Sequence, residues 1–471
     1  MVSSLDRRFN DTYFNNNIIS LSLYLFLLVI TLVFYFTEFT FVLTDYAWST
    51  VVVGYLILVY FFRWINRVNL VSIYSLFYLT TIMFLCGRFV SGFLGYAERP
   101  IFELDFFVYH LLNDYEKSNL MYYLLIGLIS MELGLYMSRL SIKRNNYSYQ
   151  SLNIKLWPIL LVLLIIVFFQ TQSLITRLMI AASGGYLELF KDSQNASYSF
   201  DYMSLVTSLM MGSVGVFCIL KQKKITAIFL FFLAIYFIVA MIAGSRGGFI
   251  CYLLFLLWYF NDFGTKKVNV LKLGAYFTGI LLFLNTVFYM ITFRGVDEVG
   301  KIGFFDKILA FFYDQGVTLL VFNESMGITG YPVAQYFQNF IPGSTFIYSL
   351  LFGPVTVENK TFVTYLNYNL NPEMFSYGFG LGWAFFADAY RYSFGVIFIY
   401  ILFISFFCMF LNWIQINVFK SKLFTVVAAS IIIHILFLPR NTLATVFPLI
   451  FYVVIYYNLY SQFKIKYKES K

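Results

Sequence analysis

The chain has 471 residues, of which 61% are hydrophobic and only 12% are charged, and its formal net charge at pH 7 is +9. A soluble protein carries roughly 25% charged residues, because polar side chains must cover its surface. The composition therefore excludes a soluble enzyme, a disordered chain and a secreted disulfide scaffold. It predicts an all-α polytopic membrane protein.

Apolar runs long enough to cross a bilayer recur along the chain. A membrane-spanning helix needs about 20 mostly apolar residues, and the first run is too long for the core of a cleavable signal peptide. We predict about twelve transmembrane helices in a single integral membrane domain, 1–471. The runs are 18–36, 47–62, 70–95, 118–137, 156–175, 202–220, 225–243, 248–260, 272–293, 393–411, 423–438 and 442–460.

The basic residues fall mainly on one side of these helices. With the N-terminus inside and the helices alternating, the inner segments hold 20 of the 32 Lys and Arg residues but only 4 of the 23 acids. Short loops rich in Lys and Arg remain cytoplasmic. We therefore predict that both termini are cytoplasmic, and that the positive charge reflects topology rather than nucleic-acid binding.

One outer segment is much longer than the others. Residues 295–392 contain four of the eight prolines and many aromatic side chains. A loop of this length is rarely structureless in a compact protein. We predict a large outer loop of helices that lie on the membrane face or dip into it.

Several kinds of chemistry have no motif in this chain. The sequence has no P-loop, HExxH or GxSxG motif. Its two histidines, His110 and His434, are far apart in sequence and match no ligand spacing. The four cysteines lie singly in apolar runs, which predicts small core residues rather than disulfides or a metal site. No cofactor is predicted.

Three arginines fall at the outer ends of predicted helices. They are Arg246, Arg294 and Arg440. An arginine near a helix end often does no more than extend its charge to the interface. However, glycines next to Arg246 and Arg294 allow close approach of a ligand to the backbone, and guanidinium groups match phosphate oxygens. Together the three could bind a diphosphate without a metal.

Short stretches around these arginines and in the outer segments carry a family resemblance. They are Ser183-Gly184-Gly185-Tyr186, Gly244-Ser245-Arg246-Gly247, Phe293-Arg294-Gly295, Phe379-Gly380-Leu381-Gly382-Trp383, Ala387-Asp388-Ala389-Tyr390, Phe394-Gly395 and Leu438-Pro439-Arg440-Asn441. In this order they resemble motifs of the bacterial O-antigen polymerases, the Wzy family. That family often has glutamate where Asp388 stands, so the carboxylate here is one methylene shorter.

The resemblance implies a metal-independent, C-type-like glycosyltransferase of the bacterial inner membrane. It would transfer a growing undecaprenyl-diphosphate-linked glycan en bloc to the non-reducing end of a new lipid-linked repeat unit, at the periplasmic face. The implied partners are these lipid-linked oligosaccharides, with a chain-length regulator and a flippase as further candidates. Arg246, Arg294 and Arg440 would bind the diphosphate.

Such a reaction needs a general base for the acceptor hydroxyl. Asp388 is the first candidate, because it occupies the matched acidic position. The alternative is a structural ion pair between Asp388 and Arg391 or another arginine. Secondary candidates for the site are Glu324, Glu373, Tyr390, Arg391, His434 and Arg88, and Asp314 is a further possible base.

Some of these residues lie within predicted helices, where a charge is costly and usually paired. Arg88 and Glu132 are both in this position. They either pair with each other, or Arg88 adds to the outer arginines. A hydrogen-bonded core residue is the favoured interpretation of His434.

Two other functions fit the same architecture. An O-antigen ligase is the alternative within the class, although residues 295–392 lack the histidine that the resemblance would lead us to expect in its outer loop. A secondary transporter or lipid-linked oligosaccharide flippase is the alternative from another class. Such folds usually show two matching halves with sites near the midplane, and no repeat is evident here.

Overall fold

The computed structural model describes residues 2–141, 151–153, 155–184, 202–242, 246–264, 279 and 304–462. This part of the chain is mostly helical and contains almost no strands. Its one sheet is a two-stranded antiparallel hairpin, β1 (Glu103–Leu104) and β2 (His110–Leu111). The prediction of an all-α fold is confirmed.

Eight of the described helices are long and apolar enough to cross a membrane, and a bent pair raises this number to nine. They account for the predicted runs except three. The runs 202–220 and 248–260 form helices that are shorter or less apolar than these eight, and 272–293 lies outside the described residues except for residue 279. The eight segments are Asn16–Phe36, Asp45–Ile65, Asp114–Ser141, Trp157–Ile180, Lys223–Ile242, Ile397–Asn417, Lys422–Arg440 and Leu443–Ser461.

The chain forms two compact units, each built from three separate stretches. Unit 1 consists of Met1–Asn145, Phe304–Thr329 and Gly382–Ile416. Unit 2 consists of Asn146–Gly303, Gly330–Leu381 and Asn417–Lys471. The long segment 295–392 therefore contributes to both units.

The helices of unit 1 share buried hydrogen bonds as well as apolar contacts. They are α1 (Val2–Phe36), α2 (Asp45–Ile65), α3 (Ile73–Leu85), α4 (Gly87–Phe93), α5 (Asp114–Ser141), α10 (Phe304–Gln315), α11 (Thr318–Gly327), α16 (Phe385–Tyr392) and α17 (Ile397–Asn417).

The packing of α5 against α17 depends on small residues. A Cβ at Gly134 would collide with the Ser405 carbonyl, and the Ser405 hydroxyl donates to the Ser130 carbonyl at 3.0 Å. Small residues at such contacts let membrane helices approach closely. The same principle applies at the 70° bend between α3 and α4, where a side chain at Gly87 would collide with the Phe312 carbonyl of α10.

Unit 2 contains the remaining helices. They are α6 (Leu156–Gly184), α7 (Tyr202–Ile219), α8 (Lys223–Ile242), α9 (Arg246–Phe263), α12 (Val333–Gln338), α13 (Ser344–Phe352), α14 (Phe362–Leu370), α15 (Pro372–Ser376), α18 (Lys422–Phe437) and α19 (Phe447–Ser461). A 3₁₀ turn, Leu438–Arg440, follows α18.

Close approach is also required between α7 and α18. A Cβ at Gly215 would collide with the Val426 carbonyl. The Ser430 hydroxyl accepts from the Gly215 amide at 2.9 Å and donates to the Gly212 carbonyl at 3.1 Å. This contact fixes α18, which leads to Arg440.

Candidate active site

Arg246 is the first residue of α9 and is partly buried. Its helix pairs with α8, where the Tyr252 ring stacks on Phe237 with centroids 5.1 Å apart. The N-terminus of a helix presents free backbone N–H groups and the positive end of the helix dipole. A guanidinium at this point therefore adds to a local arrangement that already favours an anion.

Arg440 shares one end of unit 2 with Arg246. Helix α9 packs against α18, and Phe263 at the end of α9 contacts Phe419, just before α18, with ring centroids 5.2 Å apart. The two helices are therefore antiparallel, and the start of α9 lies at the same end as the turn that carries Arg440. Arg294 lies outside the described residues.

His434 lies in the last part of α18, six positions before Arg440. Its Nε2 atom is buried, and no described residue forms a hydrogen bond with it. The interpretation of His434 as a hydrogen-bonded core histidine is therefore wrong for this nitrogen. A buried imidazole nitrogen without a partner is costly, which keeps His434 among the candidates.

Asp388 lies in the first turn of α16 and is fully buried. Its Oδ1 accepts a hydrogen bond of 2.9 Å from the indole N–H of Trp383. Gly382, directly before Trp383, has a φ of 86°, a conformation that favours glycine. The motif glycine and tryptophan thus orient the carboxylate.

The alternative for Asp388 is a structural ion pair with Arg391 or another arginine. None of the ion pairs between described residues joins Asp388 to Arg391, and a pair with another arginine stays a prediction. The Arg391 guanidinium lies 5.1 Å from the centroid of the Tyr390 ring. Tyr390 in turn packs edge-on against Tyr123, with centroids 5.2 Å apart.

Glu324 has a partner that sequence analysis did not identify. In α11 its Oε1 accepts a 2.6 Å hydrogen bond from Nδ1 of His110 in β2, 214 residues away in the chain. The Glu324 side chain is 9% exposed and that of His110 is 31% exposed. Glu116 approaches the other imidazole nitrogen at 3.4 Å. Spacing along the sequence carries no signal for this contact.

Arg88 and Glu132 do not pair with each other, so the prediction of an ion pair between them is wrong. Arg88 donates to the carbonyls of Ile101 and Glu103, at 2.9 and 2.6 Å. Glu132 is fully buried in a salt bridge with Arg63 and accepts from the Tyr74 hydroxyl at 2.8 Å.

Arg63 is therefore a helix residue, whereas the charge count above includes it in an inner segment. It lies in the last turn of α2 with no exposed side-chain surface. The signal that could have identified it is Glu132 itself, since a glutamate in an apolar helix needs a nearby cation. The inner segments then hold one cation fewer.

Two further candidates, Glu373 and Asp314, lie in other helices of the long segment. Glu373 is exposed in the first turn of α15, and Asp314 lies in α10. All four cysteines are buried and free, as predicted. Among the described residues, no group of three His, Cys, Asp or Glu side chains could hold a metal ion.

The contact between His110 and Glu324 predicts a pH-dependent contribution to stability. Partial burial lowers the pKa of His110, but the hydrogen bond to Glu324 and the charges of Glu324 and Glu116 outweigh it, so the pKa is raised above 6.5. The contribution is thus complete below the unfolded-state pKa of 6.5 and is lost as pH rises through the folded-state value. We expect His110→Gln to lower the thermal unfolding temperature in detergent more at pH 6 than at pH 9.

Arg99→Gln is the matched control, because Arg99 forms an exposed ion pair with Asp105 in the loop that also contains His110. Exposed pairs contribute about 0–1 kcal/mol, so this variant should unfold nearly like the wild type at both pH values. An equal loss for His110→Gln at pH 6 and pH 9 would contradict the prediction.

The apolar helices define a multi-pass membrane protein. Arg246 and Arg440 at one end of unit 2 give it a candidate anion site. The family model described as O-antigen polysaccharide polymerase Wzy matches residues 17–469. The chain belongs to this family. Neither the comparison with curated proteins nor that with solved structures found a match.

Membership of the family confirms the resemblance seen in the sequence motifs and favours a polymerase over a ligase or a transporter. The protein is a glycosyltransferase-type enzyme of the bacterial inner membrane that acts on lipid-linked oligosaccharide repeat units in lipopolysaccharide biosynthesis.

Proposed function

We propose that this polymerase moves the growing glycan en bloc from undecaprenyl diphosphate to the non-reducing end of a new lipid-linked repeat unit. The observation that carries this proposal is the position of Arg246 and Arg440 at one end of unit 2, with Arg246 at a helix N-terminus. Two guanidinium groups and free backbone amides are suited to a diphosphate.

In this reaction the acceptor hydroxyl oxygen forms a bond to the anomeric carbon of the donor, and the bond from that carbon to the diphosphate breaks. Negative charge develops on the leaving diphosphate. Arg246, Arg294 and Arg440 stabilise this charge as preorganised donors in a site of low dielectric. Because they supply the positive charge, we propose a metal-independent reaction of the C-type glycosyltransferase kind.

The acceptor proton goes to a general base, and Asp388 is our first proposal for it. The Trp383 indole binds one carboxylate oxygen, Oδ1, and so fixes the orientation of the group. Glu324, Glu373 and His434 are the next candidates. A chain-length regulator and a flippase are proposed as partners because this reaction consumes translocated repeat units and yields chains of controlled length.

We also propose that the reaction occurs at the periplasmic face and that both termini are cytoplasmic. The support is the excess of Lys and Arg in the predicted inner segments. Ser376, an exposed residue of α15, would then face the periplasm. A Ser376→Cys variant should react with an impermeant maleimide in intact spheroplasts, and labelling only after lysis would overturn this orientation.

The direct test uses purified protein with a synthetic undecaprenyl-diphosphate repeat unit. We expect a ladder of polymer that forms equally well in excess EDTA. Pulse-labelled repeat units should appear at the reducing end, next to the lipid, because each new unit accepts the older chain. Label at the distal end would contradict en bloc transfer, and loss of the ladder in EDTA would contradict metal independence.

A further inference from the structure

Helix α13 is apolar on most of its surface, and its large apolar side chains are exposed. Five of its nine residues are large hydrophobic side chains with between 52 and 72% of their surface exposed. These residues are Phe346, Ile347, Leu350, Leu351 and Phe352. Exposure of this helix to water would be unfavourable, because apolar surface lowers its free energy only when it is removed from water.

The exposed apolar surface continues onto α12, which packs against α13. Val333 and Phe337 are 63% and 54% exposed and lie one helical turn apart. Phe340 and Ile341 extend the surface between the two helices. We call this continuous area the α12–α13 surface.

The α12–α13 surface lies in an uncharged stretch. No residue from 325 to 357 is Asp, Glu, Lys, Arg or His. The exposed side of α13 carries one serine, Ser349, whose hydroxyl donates to the Phe346 carbonyl at 2.8 Å. A surface adapted to water or to a charged protein partner would carry charges.

The link between α12 and α13 is attached to the end of a membrane-spanning segment. The Phe340 ring packs on Phe447 with centroids 5.0 Å apart, and the Thr442 hydroxyl donates to Asn339 Oδ1 at 3.1 Å. Phe447 lies near the start of the Leu443–Ser461 segment and Thr442 directly precedes it; only 28% of this segment is buried. Helix α13 begins four residues after Phe340, so it starts within about 14 Å of this point.

We infer that the α12–α13 surface is embedded in the hydrocarbon of one bilayer leaflet, at the end of unit 2 that carries Arg246 and Arg440. At nine residues, α13 spans about 14 Å and is too short to cross the membrane. It lies within the leaflet, continuous with the lipid-facing side of Leu443–Ser461. The inference does not depend on the proposed reaction.

The test places a fluorescent NBD group at position 350 through a Leu350→Cys substitution, with Ser376→Cys as the matched control in the same outer segment. The four native cysteines are fully buried, and the unsubstituted protein gives the background labelling. The proteins are reconstituted into phosphatidylcholine vesicles. Quenching is measured with aqueous iodide and with phosphatidylcholine brominated on its acyl chains.

We expect the probe at 350 to show blue-shifted emission, loss of intensity with brominated lipid and little loss with iodide. The probe at 376 should show the opposite pattern. Quenching at 350 by iodide to the same extent as at 376 would overturn the inference. So would protection from both quenchers, since the surface would then be covered by a second copy or another protein. If Leu350→Cys does not fold, Phe352→Cys provides the same measurement.

Discussion

Replacing Arg246 or Arg294 by alanine should abolish the polymer while the protein remains in the membrane. Each guanidinium is proposed to bind the diphosphate as negative charge develops on it, and losing about 4 kcal/mol of such stabilisation slows a reaction roughly a thousandfold. Cells that depend on either variant should make lipopolysaccharide with a single repeat unit. Gel electrophoresis of lipopolysaccharide and immunoblots of membranes measure the two quantities.

Lysine at these positions restores the charge but not the planar fork of donors, so partial rescue is the most we expect. Arg99→Gln removes an arginine whose partner is the exposed carboxylate of Asp105, and it should leave the ladder unchanged. A normal ladder from Arg246→Ala or Arg294→Ala would remove that arginine from the proposed site.

Asp388→Asn should reduce turnover by about 10²–10⁴ without unfolding the protein. The asparagine side chain retains an oxygen that can accept the hydrogen bond of the Trp383 indole, so the local structure is preserved, but it cannot take a proton. Asp388→Glu introduces the longer carboxylate that the Wzy family often has at this position and should keep partial activity. Initial rates with purified variants and excess lipid-linked repeat unit provide the measurement.

Trp383→Phe distinguishes a catalytic role of Asp388 from a purely structural role of its hydrogen bond with Trp383. It removes the indole N–H and leaves the carboxylate, so it should lower the rate less than Asp388→Asn if Asp388 is the base. Near-normal polymerisation by folded Asp388→Asn would eliminate Asp388 and direct attention to Glu324, Glu373 and His434.

The sequence was sufficient to predict those features that depend on local composition. Long apolar runs predict helices because a bilayer requires internally satisfied backbone hydrogen bonds, and the described helices match most of these runs. The shared end of Arg246 and Arg440 also follows from the sequence, since alternating helices place both turns on one side. The sequence motifs also predict the family, and the family model confirms it and with it the class of reaction.

Pairings between distant residues could not be predicted in the same way. The apolar run 47–62 ends one residue before Arg63 and so predicts that Arg63 lies in a loop. The structure instead places it in a salt bridge with Glu132. His110 and Glu324 meet because a β-hairpin and a short helix pack in one unit. Such contacts depend on how helices are arranged in space, about which a single sequence carries no periodic signal.

The interleaving of stretches in unit 1 has a consequence for its biosynthesis. Helix α5 is 89% buried, yet residues that bind it, such as Tyr400 to Tyr123, lie 277 residues apart in the chain. At ordinary rates of translation this separation corresponds to a delay on the order of tens of seconds. During that interval the glycine- and serine-bearing face of α5 lacks its α17 partner in the membrane. Nascent chains that stop before residue 382 should therefore remain bound to the insertion machinery or be degraded by membrane proteases.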